Sequence, residues 1–201
     1  IKATKSKIGE AMSEFFIPKD RELRIAISGK SGCGNTTVSN MIAKNLCIPC
    51  INYTFKNLSA ELGLSVKEIV EKAKSDSSYD KKVDSKQIEL ALKESCVLAS
   101  RLSIWLLKEA DLKVYLYASP EKRAERVHKR EGGNLQEITD FTKLRDAEDT
   151  KRYKELYSID IDNYEPIANI IIDTDNKKPE KVAQLILQEL ASRHLIQQKN
   201  K

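Results

Sequence analysis

A chain of 201 residues, 40% hydrophobic and 32% charged, has enough length and apolar content for one domain to bury a core without disulfides or structural metal. No apolar run approaches the ~20 residues of a membrane helix and no secretory pattern is present, so a cytoplasmic chain with reduced thiols is expected. The formal net charge of +5 arises mainly from Lys and Arg between residues 113 and 154, which suits phosphate-rich ligands. No basic stripe is interleaved with aromatics, so nucleic acid is not an expected partner.

Residues 1–22 lack turn chemistry and strong periodicity and read as an extension. Leu23, Ile25 and Ile27 then mark a buried strand over 23–28, and Val38, Met41, Ile42 and Leu46 mark a helix over 36–46. Between them lies Gly29-Lys30-Ser31-Gly32-Cys33-Gly34-Asn35-Thr36-Thr37. Its glycines allow successive N–H groups to turn inward, and the helix that follows adds its positive end. That is a phosphate-binding loop for a nucleotide, and Thr36 stands where a hydroxyl ligates Mg²⁺. The usual pattern has lysine before that hydroxyl; here the residue is Asn35. Lys30 lies on the same short loop, and its flexible stem offers a compensating ammonium.

A strand over 48–53, helices over 54–93, a strand over 95–99, a helix over 101–109 and a strand over 112–118 follow. Cys47-Ile-Pro-Cys50 follows a helix rather than opening one, and zinc would need two more ligands nearby, so Cys33, Cys47, Cys50 and Cys96 read as plain thiols. His128 and His194 have no ligand partner one turn away. Helices near 120–131 and 136–157 flank Gly132-Gly133-Asn134, a hinge. Ile167 to Asp173 forms the last strand, Pro179 opens a closing helix with Val182, Leu185, Ile186 and Leu190 on one face, and 196–201 is a polar tail. The alternation predicts a three-layer α/β domain over 23–195. A parallel sheet of about five strands is covered by helices on both faces, with ligand sites at the strands' carboxyl ends.

Arg123, Arg126 and Arg130 share a helix face, and Arg145 and Arg152 lie two turns apart on another helix. Glu121, Glu125, Glu137, Glu148 and Glu155 are close enough to pair with them, which describes a solvated charged face. The other reading is a lid over about 130–155. A glycine-hinged arginine hairpin closing on polyphosphate would neutralise charge and expel water.

Several ordered motifs resemble the cytidylate kinases among the nucleoside-monophosphate kinases, over roughly residues 23–190. Ser100-Arg101 with Ala110-Asp111-Leu112-Lys113-Val114-Tyr115-Leu116-Tyr117-Ala118-Ser119 is similar to the family's Gly-Arg and A-D-x-K-x-x-L-x-A-S run. Glu121-Lys122-Arg123-Ala124-Glu125-Arg126 resembles its E-x-R-A-x-R helix. Arg145-Asp146-Ala147-Glu148-Asp149-Thr150-Lys151-Arg152 resembles the R-D-x-x-D-x-x-R lid segment, and Arg152-Tyr153 with Tyr157-Ser158-Ile159-Asp160 is similar to the shorter type of the enzyme. The resemblance implies a P-loop kinase fold, with ATP, Mg²⁺ and cytidine or deoxycytidine monophosphate as ligands.

It further implies that Arg101 holds the acceptor, that Asp149 reads its base and that Arg152 holds its phosphate. Lys56 takes the place of an arginine that touches the acceptor phosphate, and Asp84, with Asp80, is a candidate for the acceptor pocket. Arg123, Arg126 and Arg145 are implied near the transferring phosphates, where guanidinium groups neutralise developing charge. Departures are Asn35, Ala99-Ser100 for an acid-glycine pair, and Tyr53-Thr54 for a glycine turn. The expected activity is ATP-dependent phosphorylation of cytidine and deoxycytidine monophosphates by a monomer. Two alternatives stay open: another small-molecule or monophosphate kinase of the same fold, which shares the loop and lid without needing Asp149 to read an amine, and a nucleotide-binding protein with little or no turnover, which fits Asn35 and Ala99.

Overall fold

The computed structural model describes residues 14–199. Its centre is a five-stranded parallel sheet of β2 (Arg24–Ser28), β3 (Cys50–Ile51), β4 (Cys96–Ala99), β5 (Leu112–Tyr117) and β6 (Ile170–Asp173), in the order β3-β4-β2-β5-β6. β2 is central, with Ile25 opposite Val97 on one side and Leu112 on the other. Alternate side chains serve two cores, as the pleat requires. Ile25, Ile27, Val114 and Leu116 pack with α1 (Asn35–Leu46) and α8 (Pro179–Ser192), whereas Ala26, Leu98 and Tyr115 pack with α4 (Ser78–Ala91) and α5 (Ser103–Leu106).

The 54–93 region is three helices, α2 (Phe55–Leu62), α3 (Val66–Ala73) and α4. Gly63, at φ +66°, ends α2, and Ser65 caps α3 in a reciprocal box with Glu68. Tyr53, Leu58, Ile69 and Val83 give this unit a small core of its own.

Several expectations are corrected. The strand expected over 48–53 shrinks to two residues, and the helix expected over 101–109 shrinks to α5. Ser28 Oγ meets Ser103 Oγ at 2.9 Å and accepts the Ile104 N–H at 3.1 Å, so this turn is pinned against β2 and stops as Leu107 leaves helical geometry. The last strand starts at Ile170, because Ile167 and Ala168 N–H groups fold back to the Tyr164 carbonyl. Phe15–Phe16 (β1), placed by sequence in an extension, pairs antiparallel with Gln197–Gln198 (β7) from the expected polar tail, and Ile196 is buried. Residues 1–13, 200 and 201 lie outside the described residues.

Candidate active site

β2 runs into the loop at Gly29, where a Cβ would lie 2.4 Å from Cys33 Sγ and 2.6 Å from the Leu116 carbonyl oxygen. At Gly32, φ is +88° and a Cβ would meet the Arg123 carbonyl oxygen at 2.8 Å. Any side chain at either position would prise the loop off β5 and off α6 (Pro120–Glu131). The Cys33 thiol and N–H both donate to the Lys30 carbonyl, and burial pushes that thiol up to about 11. Cys33 is therefore an inert plug that shapes the loop from beneath. Arg123 Nη1 donates to the Ser31 carbonyl at 3.2 Å and Arg126 Nη1 to the Gly32 carbonyl at 3.4 Å. With these loop carbonyls drawn towards α6, the loop and the first turn of α1 present N–H groups to the cleft.

Asn35 brings no charge. Its amide donates to the Ser100 carbonyl at 3.4 Å and accepts from Ser39 Oγ at 3.3 Å, tying the start of α1 to the tip of β4. Lys30 lines the cleft, but its ammonium lies 2.5 Å from Asp162 and 3.9 Å from Asp146. Burial pushes the Asp162 carboxyl up, yet the Lys30 hydrogen bond and charge outweigh it and hold the group below its ordinary value.

A cleft of about 1070 Å³ continues from the loop to α3 and α4 and is roofed by α7 (Leu135–Tyr157). Arg101 and Asp149 form an ion pair at 3.0 Å across it, and Arg152 pairs with Asp80. Tyr157 donates its hydroxyl to Asp84 at 2.6 Å, and Gln87 Nε2 donates to the Tyr53 carbonyl at 2.6 Å. Lys56 lines the cleft as well, as an exposed residue. Burial raises the Asp84 carboxyl to about 6, against the lowering hydrogen bond from Tyr157. Its unfolded value lies near 3.9, so the folded state takes up the proton more readily, and stability falls as pH rises from ~4 through ~6. Asp84→Asn keeps an acceptor for Tyr157 and removes the buried charge. It should stabilise the protein at pH 8 by roughly 1–3 kcal/mol, with the gain vanishing below pH ~4. Equal melting temperatures for variant and parent at pH 8 would contradict the burial argument.

The lid arginines divide. Arg126, Arg130 and Arg145 line the cleft. Arg123, expected beside the phosphates, is 2% exposed and does not line it; both its Nη atoms bind Asp146 on α7. In this structure it supports the loop and anchors the lid. Arg126 also donates to Thr174 Oγ1 at 2.9 Å and to the Thr174 carbonyl. Gly132 and Gly133, at φ +73° and +93°, separate α6 from α7, whose start is capped by the Asn134 side chain. Phe141 and Leu144 of α7 are 61% and 58% exposed.

The match to a family model covers residues 24–176 and carries the description "Cytidylate kinase-like family". This chain belongs to the cytidylate kinase-like family. It is 47% identical to cytidylate kinase 2 of Borreliella burgdorferi over 176 residues, 86% of this chain and 98% of the relative. Identity to the cytidylate kinase of Archaeoglobus fulgidus is 39%, over 82% of this chain and 93% of the relative. The fold is shared with shikimate kinase from Bacteroides thetaiotaomicron (TM-score 0.59, 18% identity, 86% and 99% of the two chains). It is also shared with deoxyadenosine kinase from M. mycoides with bound dATP (TM-score 0.52, 19% identity, 84% and 100%). The parallel three-layer sheet expected from the alternating elements, and the P-loop kinase fold implied by the resemblance, are the architecture observed.

Sequence reasoning missed four residues that line this cytidylate kinase-like cleft or hold the cations around it. Gln87 shares a face of α4 with Asp80 and Asp84, a signal its spacing carried. Asp146, Asp162 and Thr174 reach Arg123, Lys30 and Arg126 only through folding; Asp146 stands in the Arg145-to-Arg152 segment, but nothing local marks any of these pairings.

Proposed function

We propose that this nucleoside-monophosphate kinase transfers the γ phosphate of ATP to cytidine or deoxycytidine monophosphate. One observation carries the reading. A phosphate-binding loop and the Arg101, Arg152 and Asp84 side chains line a single continuous cleft, in a chain of the cytidylate kinase-like family.

The donor triphosphate occupies the loop from Gly29 to Thr37, held by inward N–H groups. Mg²⁺ fits beside Thr36, an exposed hydroxyl on the first turn of α1. Mg²⁺ generally retains water and phosphate ligands, so one protein hydroxyl would suffice to hold it, and the bound ion would supply charge neutralisation there. Arg101 and Arg152 hold the acceptor phosphate, and Asp149 orients Arg101. Arg126 and Arg145 meet the transferring group from the lid side, and Lys30 adds its charge at the loop. There is little covalent work for the protein, so catalysis rests on positioning and on charge stabilisation in a water-poor cleft. Closure of α7 about Gly132-Gly133 supplies that exclusion, and the exposed Phe141 lies on the cleft wall that moves.

A phosphotransfer assay over a panel of monophosphates tests this. Cytidine and deoxycytidine monophosphates should exceed uridine and adenosine monophosphates in kcat/KM by about tenfold or more, the span set by one mismatched buried polar contact. A preference for adenosine monophosphate, or no turnover of any acceptor at high enzyme concentration, would overturn the assignment.

A further inference from the structure

Discrimination between cytosine and uracil rests on the group at one ring position. Cytosine carries an amine with two N–H donors, uracil a carbonyl. A site that reads the amine needs two acceptors without protein donors of their own.

Residues 84 and 87 stand three apart on α4 and so share a helix face, and both side chains line the cleft. Gln87 is 5% exposed. Its Nε2 donates to the Tyr53 carbonyl at 2.6 Å, and a carbonyl can only accept, so the amide cannot flip and Oε1 is left as an acceptor. Asp84 receives the Tyr157 hydroxyl on Oδ2. Among the described residues no donor meets Asp84 Oδ1 or Gln87 Oε1. Asp149, which the family resemblance implies as the base reader, is differently placed: Arg101 Nη1 lies 3.2 Å from one of its oxygens and 3.0 Å from the other. Along α4, Asp80 is taken by Arg152. The face thus has the α7 cation Arg152 held at Asp80 and open acceptors one and two turns further along, roughly 6–10 Å away, matching a nucleotide's phosphate and base.

We propose that Asp84 and Gln87 read the exocyclic amine of the acceptor base, each accepting one of its two N–H groups. The proposal rests on the cytidylate kinase reading and assigns its specificity to α4. Uracil would place its carbonyl against two acceptors, leaving buried lone pairs without a proton.

The experiment measures kcat/KM for cytidine and uridine monophosphates with the parent enzyme, Asp84→Asn, Gln87→Met and Asp149→Asn. Asp84→Asn retains an acceptor for Tyr157 and gains N–H donors for the uracil carbonyl. Its cytidine-to-uridine ratio should fall about tenfold or more, largely through a gain with uridine monophosphate. Gln87→Met should lower the ratio severalfold through loss with cytidine monophosphate, while Asp149→Asn should lower both acceptors together. The parent ratio should also fall as pH drops through about 6, where Asp84 gains a proton, and the Asp84→Asn ratio should stay flat. The groups facing Asp84 are Asp80 on its own helix and Arg152, Tyr153 and Tyr157 on α7. Titration of the substrate phosphate is common to both acceptors and cancels in the ratio. A proportional loss of both acceptors in Asp84→Asn, or erosion of the ratio only in Asp149→Asn, would overturn the proposal and leave the kinase assignment intact. Failure of the parent enzyme to use cytidine monophosphate would overturn the assignment instead.

Discussion

Arg101→Met should lower kcat/KM for cytidine monophosphate by about two to three orders of magnitude, the equivalent of roughly 3–4 kcal/mol. Arg101 crosses the cleft to Asp149, and its side chain is 28% exposed. Burial works against its charge, but Asp149 and Tyr153 more than restore it. A planar fork held in place this way offers a phosphate parallel charge-assisted hydrogen bonds of about 1.5–3 kcal/mol each, with little conformational entropy left to lose. Methionine conserves much of the stem and none of the donors. It also strands Asp149, which adds a destabilising term, so melting temperature must be measured beside the kinetics. A well-folded variant with less than a tenfold loss would remove Arg101 from the acceptor site.

Lys30→Ala is the second large effect, with an expected loss of about ten- to a hundredfold in kcat/KM. Without nucleotide the ammonium is paired with Asp162, whose side chain is 52% exposed. Exposed pairs of this sort contribute about 0–1 kcal/mol, so a polyphosphate with several charges can draw the lysine away at small cost. The same cation is 3.9 Å from Asp146 on α7, and Thr150 of that helix donates to Asp162 at 3.1 Å. Movement of Lys30 to the phosphates would therefore loosen one tie between loop and lid as the lid closes. Asn35→Lys should gain little or lose activity. It would give up the hydrogen bonds to Ser100 and Ser39 and place a second ammonium on the loop. Turnover and ATP affinity for both variants provide the check. Near-normal kinetics in Lys30→Ala would sink the compensating role, and a large gain in Asn35→Lys would show an under-equipped site.

The phosphate-binding loop was legible because its chemistry is local. Three glycines within six residues, between an apolar strand and an amphipathic helix, leave the backbone few ways to run. The alternating strands and helices were legible for a related reason, since hydrophobic period follows directly from backbone geometry. Short elements were not. Helix pattern continued through 101–109, yet a buried serine pair 75 residues apart in sequence holds that stretch to one turn.

The site divides along the same line. Arg123 and Arg126 share a helix face and look equivalent as sequence, but burial against Asp146 takes Arg123 out of the cleft while Arg126 lines it. Lys30 meets a carboxylate 132 residues further on, and Arg152 meets Asp80, 72 residues before it. Likewise, Phe15–Phe16 pairs with Gln197–Gln198 from the opposite end of the chain. By itself the sequence determined the loop, the layer order and the kinds of side chain available to phosphate, because those follow from local backbone limits and side-chain chemistry. Tertiary structure decided which cations face the cleft and which acceptors on α4 are left open. Ion pairing and burial are settled between distant segments, by packing that no local pattern encodes.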